Sequence, residues 1–337
     1  MQRRSIIGAM KPWTFTDVAR IFRLAEQGHL RPDGLRRAAA HAPLVPSATV
    51  WDQWLDRLLA FGAAVLLAAA LISFFAYNWA DLDRFAKFGI AVAALGGSVL
   101  TAMLLPPRST GWHAALLAAA LAIGALFALI GQTYQTGADA WELFAAWAVM
   151  MLPFVLLSRS LPLWALWLLV GNVALARGFA QSAGLELPNA SGLLWMVAAN
   201  LGLVVACELL PAHITAGGPR SARRLARLAA LVLWLVLAFG ACLGWYESDY
   251  LPLLLAHVVL AALSGWRHYT VRRDVVMLGL MLYSSIAVVA AGLFRLSMES
   301  SFSLLTIGAL VAAASAGAAG WLHHLINETA QDEDHDD

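Results

Sequence analysis

Apolar residues run through this chain in blocks of about twenty, separated by short polar breaks. The blocks fall at 57–77, 86–105, 114–132, 141–157, 161–177, 191–211, 224–244, 251–266, 275–294 and 302–321. An α-helix rises 1.5 Å per residue, so about 20 residues cross the ~30 Å hydrocarbon core of a bilayer. Ten such blocks predict ten transmembrane helices. The expected fold class is all-α, a polytopic integral membrane protein with its spans between residues 55 and 322.

The two ends pattern differently. Residues 1–54 read as a small soluble cap of two short helices. Thr16 is placed to cap the first, in which Val18, Ile21, Phe22 and Ala25 recur at helical spacing, and Gly28 to end it. Pro32 suits the first turn of the second, which runs through Leu35 and Ala39 until Pro43 and Pro46 break it. Residues 323–337, closing in QDEDHDD, read as an acidic, solvated and disordered tail.

Composition agrees with a lipid environment. Of 337 residues, 61% are hydrophobic and 13% charged, with a mean hydropathy of +0.72. Soluble domains run near 45–50% apolar and about 25% charged, so a soluble globular class is excluded. The start, MQRRSIIGAMKPW, lacks the apolar core of a cleaved signal peptide, and the first span is expected to direct insertion. Cys207 and Cys242 both lie inside apolar blocks, which leaves no disulfide framework and no four-ligand zinc site. No cofactor and no metal is expected.

The net charge of +1 conceals a segregation. Ten spans place both termini on one side. The cap with Arg57, then Arg108, Arg159, the group from Arg220 to Arg227, and Arg267, Arg272 and Arg273 all fall on that side. Arg84, Lys87, Arg177 and Arg295 alone fall on the other. That split of eighteen to four among the 22 Lys and Arg follows the positive-inside rule with both termini cytoplasmic. The expected location is the bacterial cytoplasmic membrane. The basic cap suits an anionic membrane surface, and packing against the membrane domain is preferred to a nucleic-acid-binding role.

Three stretches carry a resemblance: LAEQGHLRPDGLRRAA in the cap, FFAYNWADLDRFAKF at the end of the first span, and GQTYQTGADAWELFAAWAVMMLPFVLLSRSLPLWALWLLVGN. Together they are similar to the bacterial family of multi-spanning membrane proteins called domain of unknown function 2157, over roughly residues 15–172. The resemblance implies the architecture and no particular activity.

The third stretch also carries the best candidate chemistry. Gln132, Tyr134, Gln135, Asp139 and Glu142 sit between two strongly apolar blocks, in an expected outer turn. Two further outer turns are similar: Asn78 and Asp81 after the first span, and Glu247 after the seventh. If the three converge, they form an outward-facing polar pocket for a small polar molecule or lipid headgroup; if not, they are ordinary interface chemistry, where aromatic and acidic residues are common. Within the spans, polar side chains at membrane depth are functional candidates by default. Asn200, Glu208 and His257 lead these, His257 as a proton relay or as a neutral group bonded to backbone or to Asn200, and Glu208 as a partner for an Arg such as Arg223.

Small residues recur every fourth position at Gly89, Ala93, Gly97 and Thr101, and at Gly308, Ala312, Ala316 and Gly320. Such ridges predict close helix packing, and the second is a candidate homo-oligomer face along 302–321. No catalytic signature such as H-E-x-x-H, G-x-S-x-G or a P-loop is present. Asp81 and Asp83 resemble the acidic pair of lipid-linked glycosyltransferases in the first outer loop, but that loop is short here, and two carboxylates at a helix start are explained by the helix dipole. The leading expectation is therefore a non-enzymatic binding or transport protein. A scaffold or regulator acting through the cap is the alternative, and a glycosyltransferase the remote one. Partners are expected to be membrane lipids, a small polar ligand and a second copy of the chain.

Overall fold

The structure, a computed structural model, describes residues 48–134, 139–182, 189–209, 219–298 and 304–332. Among these residues it is helical and contains no strand. The helices are α1 Ala48–Tyr77, α2 Arg84–Leu104, α3 Thr110–Tyr134, α4 Ala140–Ser158, α5 Leu161–Ser182, α6 Ala190–Leu209, α7 Pro219–Leu243, α8 Leu251–Trp266, α9 Val275–Ser297 and α10 Leu304–Asp332. A 3-10 turn, Ser248–Tyr250, precedes α8, and a π-helical turn, Arg267–Val271, follows it. Among the described residues ten helices are long and apolar enough to cross a bilayer, and the chain is a multi-pass membrane protein.

The ends differ from expectation. Residues 1–47 of the cap lie outside the described residues, but from Ala48 the chain is already helical and continuous with α1. No Gly or Pro interrupts ATVWDQWLDR, so nothing stops the helix at the membrane edge. The tail is likewise helical as far as Asp332, with His324 and Glu328 paired one turn apart at 3.5 Å. By its contacts the chain divides into Met1–Leu59 with Ala330–Asp337 as one unit, and Ala60–Thr329 as the other. All that follows concerns the second unit.

Within that unit, helices adjacent in sequence pack on one another from α2 through α9, and α7 touches α6, α8 and α9. Short connections make such neighbours the cheapest partners. Met151 of α4, Leu163 of α5, Leu225 and Leu237 of α7, Leu253 of α8 and Leu278 of α9 form the fully buried centre.

Two tryptophans join helices by one device. The Trp147 indole N–H on α4 donates to the Ala120 carbonyl on α3 at 2.8 Å, and a Cβ on Gly124 would lie 2.4 Å from that ring. Beyond α7, the Trp245 indole N–H donates to the Val288 carbonyl on α9 at 2.9 Å, and a Cβ on Gly292 would lie 2.7 Å from the ring. In both, the glycine sits four residues after the accepting carbonyl, where a side chain would shield it. Removing that Cβ lets an indole share a carbonyl already used by the helix.

The predicted small-residue ridges do not pack in this way. Gly89, Ala93, Gly97 and Thr101 are all exposed, and a Cβ on Gly89 or Gly97 would meet nothing within 4 Å. The buried positions of α2 are instead Lys87, Ala91 and Ala102. Gly308, Ala312, Ala316 and Gly320 of α10 are exposed too. A period of four specifies a helix face, and it does not specify what that face meets.

Candidate functional site

A cavity of about 380 Å³ lies between α1, α3 and α4, within the range of roughly 300–1,000 Å³ typical of ligand sites. From α3 it is lined by Leu121, Gly124, Ala125, Ala128, Leu129 and Gln132, a single helix face at spacings of three, four, seven and eight. Ala68, Ile72, Phe75 and Ala76 of α1 and then Trp79 form a second wall. Ala140, Leu143, Phe144 and Trp147 of α4 form the third. Trp147 is held against α3 by its indole hydrogen bond and stacks on Phe144 with centroids 6.2 Å apart. That wall is therefore preformed.

No charged side chain lines the cavity, and Gln132 supplies its one carboxamide. Gln132 lies at the end that carries the α1–α2 and α3–α4 turns. Its carboxamide makes no hydrogen bond with any described residue. A long polar side chain in this position has donor and acceptor capacity to offer a ligand.

The other candidates in these turns go elsewhere. Asn78 is half-buried and donates back to the Phe74 carbonyl at 2.8 Å. Asp81 is exposed in the turn beyond Trp79. Tyr134 projects from the opposite side of α3 to Gln132 and stacks on Phe88 of α2, with centroids 5.7 Å apart. Asp139 occupies the N-cap position of α4 without a side-chain cap bond, although it has interactions of its own. Glu142, two residues after Ala140 and so about 200° around the helix, is exposed away from the cavity. Gln135 lies outside the described residues.

Glu247 belongs to the α7–α8 link, which is fastened to α9 through Trp245 and through Tyr246, whose hydroxyl donates to the Ala291 carbonyl at 3.4 Å. It does not line the cavity. What the structure assembles is thus an apolar chamber with an amide at its mouth, in place of a polar pocket shared by three turns.

Two charged groups near the mouth are engaged. Asp83 caps α2, accepting from the Phe85 and Ala86 amides at 2.7 and 2.9 Å. Lys87 is only 7% exposed, and its ammonium sits 3.8 Å from the centroid of the Trp79 ring. This buried cation–π contact escaped the sequence reading, because nothing local pairs a Lys with a Trp eight residues earlier across a turn. Among the described residues no group of three or more His, Cys, Asp or Glu could hold a metal ion.

The membrane-depth residues form a separate set in α5 to α9. Asn200 pairs with Asn172, the two amides exchanging hydrogen bonds at 2.8 and 3.3 Å. His257 bonds Ser285 Oγ at 3.2 Å through Nε2 and lies edge-on to Trp234, so its partner is neither backbone nor Asn200. Glu208 pairs with Arg267 at 2.6 Å rather than with Arg223. Beside it, Arg227 holds Asp274 at 3.0 Å, and Asp274 caps α9 through the Val276 and Met277 amides. These two ion pairs lie at the opposite end of the bundle from Gln132.

Residues 22–164 match the family described as Predicted membrane protein (DUF2157). The resemblance read from the three stretches is shown over that range, which includes every residue lining the cavity. No curated protein matches the chain, and no solved structure matches it.

Proposed function

We propose that the protein binds an amphipathic small molecule in the cavity between α1, α3 and α4, with its apolar part along the helices and its polar end at Gln132. The reading is supported by one observation above all: a chamber walled by aliphatic and aromatic side chains that ends at the exposed carboxamide of Gln132. Ligand sites commonly combine an apolar lining with a few placed polar groups. The wall formed by Trp147 is fixed before any ligand arrives, which lowers the ordering cost of binding.

The charge asymmetry orients the site. With the basic N-terminal cap and the Arg220–Arg227 group inside the cell, the mouth of the cavity faces outward from a bacterial cytoplasmic membrane. In this reading the role is binding or transport rather than catalysis, and the Asp81/Asp83 pair is structural, because Asp83 is committed to the α2 cap.

The test is mass spectrometry of molecules that co-purify in native bilayer patches, comparing the parent with Ala125→Phe and Gln132→Leu at equal membrane abundance. Ala125→Phe fills the chamber and should abolish retention. Gln132→Leu removes a hydrogen bond of about 1–1.5 kcal/mol and should weaken retention about tenfold. A parent profile indistinguishable from bulk lipid would overturn the proposal.

A further inference from the structure

We infer that the occupant is a neutral single-chain lipid: an alkyl or isoprenoid chain about one leaflet long, ending in a hydroxyl, carbonyl or amide. This rests on the reading of the cavity as a ligand site and adds the chemistry of the ligand.

Length comes from the walls. The lining runs from Ala68 to Trp79 along α1 and from Leu121 to Gln132 along α3. Eleven residues at the helical rise give ~16 Å, close to half of the ~30 Å hydrocarbon core. The chamber therefore reaches from the membrane surface at the α1–α2 turn to about the bilayer midplane. A chain lying in it spans one leaflet and ends where the leaflet ends. The access along α1 is lipid-facing, since Leu66 and Leu67 on that helix are exposed.

Head chemistry comes from the fate of every charged group around the mouth. The Lys87 ammonium is buried on the Trp79 ring, and the Arg84 guanidinium lies over Phe85 at 4.9 Å. Asp83 accepts from the α2 amides, Asp139 has interactions of its own, Glu142 points away, and Asp81 stays exposed in the turn. None lines the chamber. Gln132 is exposed at the mouth, so a phosphate or ammonium there gains no counter-ion from the wall and would lose water on following the chain inward. An ammonium meets a further obstacle, because Lys87 already takes the cation-binding capacity of Trp79. A hydroxyl, carbonyl or amide exchanges water for the Gln132 carboxamide, which both donates and accepts.

The experiment uses the full chain in nanodiscs with a photoreactive monoacylglycerol whose chain is about one leaflet long. Labelling is expected on peptides containing 68–79 and 121–132, and is lost in Ala125→Phe. Unlabelled competitors with the same chain are a monoacylglycerol, a lysophosphatidic acid and an alkyl trimethylammonium. The neutral competitor should displace the probe at a concentration at least tenfold below either charged one, and Gln132→Glu should invert that order in favour of the ammonium. Equal or better competition by a charged lipid would overturn the headgroup assignment while leaving the cavity as a ligand site. Labelling that is the same in the parent and in Ala125→Phe would overturn the site itself.

Discussion

The most apolar 18-residue stretches of α1 and α3 have the same mean hydropathy, yet 11% of the first is buried within the protein against 56% of the second. On α3 the buried positions run almost without a break through Ala114, Ala115, Leu116, Leu117, Ala119 and Ala120. Small side chains there let neighbours approach from two sides. On α1 the large residues Val65, Leu66, Leu67 and Ile72 are exposed. Hydropathy reports that a helix leaves water. It cannot report whether the helix meets protein or lipid, since lipid tails are as apolar as Leu. The cavity occurs where the two kinds of helix face each other: α3 and α4 supply a packed wall, and α1 closes it loosely.

The same contrast appears in the polar contacts. No ion pair among the described residues ties α1 to another helix, whereas α7 and α9 are joined by Arg227 and Asp274. Asp274→Ala should give the largest loss of stability. It removes the three hydrogen bonds that the carboxylate accepts from Arg227 and the cap of α9. A broken buried pair costs about 3–5 kcal/mol and a lost cap about 0.5–2. The Arg227 side chain is about a third exposed, so solvent screening reduces the first contribution. A total of about 2–4 kcal/mol is expected in reversible unfolding in bicelles. A loss below about 1 kcal/mol would show that α7 and α9 are held by apolar packing alone, as the fringe helices are.

Next in size is a matched pair of glycine substitutions. Gly124→Leu drives a side chain into the Trp147 ring and displaces its bond to Ala120, which should cost about 1–3 kcal/mol by overpacking. Gly97→Leu on α2 meets open space and should stay within about 0.5 kcal/mol. The same unfolding assay reads both. Equal losses would mean that the α2 ridge is covered in the membrane, and the division between packed core and lipid-facing fringe would then fail at α2.

The spans were legible because the signal is long and local: twenty apolar residues and a polar break are read without knowing any neighbour. The sequence placed most helix ends within a few residues, and erred at Ala48 and Asp332, where helix propensity continues past the apolar block. Gln132 was legible for a similar reason, as an amide inside an apolar run. The site around it was not. Tyr134 and Glu142 share the composition of the turn, but helix rotation turns them away from the chamber. Glu208 finds its partner 59 positions away at Arg267, while the nearer Arg223 offered itself by proximity in sequence alone. Lys87 on Trp79, and Gly124 beneath Trp147, depend on which faces meet, and no single segment contains that information.

The smallest expected effect bears on how the packed half is specified. Asn172 and Asn200 exchange amide bonds between α5 and α6, and each also donates to its own helix, to the Leu168 and Met196 carbonyls at 2.8 Å. Both hydrogens of each amide are therefore engaged. When the helices separate within the membrane, each Asn keeps its bond to its own backbone and loses only the mutual pair. The pair should then be worth little despite its burial. A double-mutant cycle with Asn172→Leu and Asn200→Leu should give a coupling of about 0.6 kcal/mol, and under about 1.7, as polar pairs between membrane helices do. A coupling well above that bound would mean that the separated amides find no backbone partner, and that hydrogen bonding rather than packing distinguishes this half from α1. A coupling of zero would leave the core to differ from the fringe only in how closely its small residues let the helices approach.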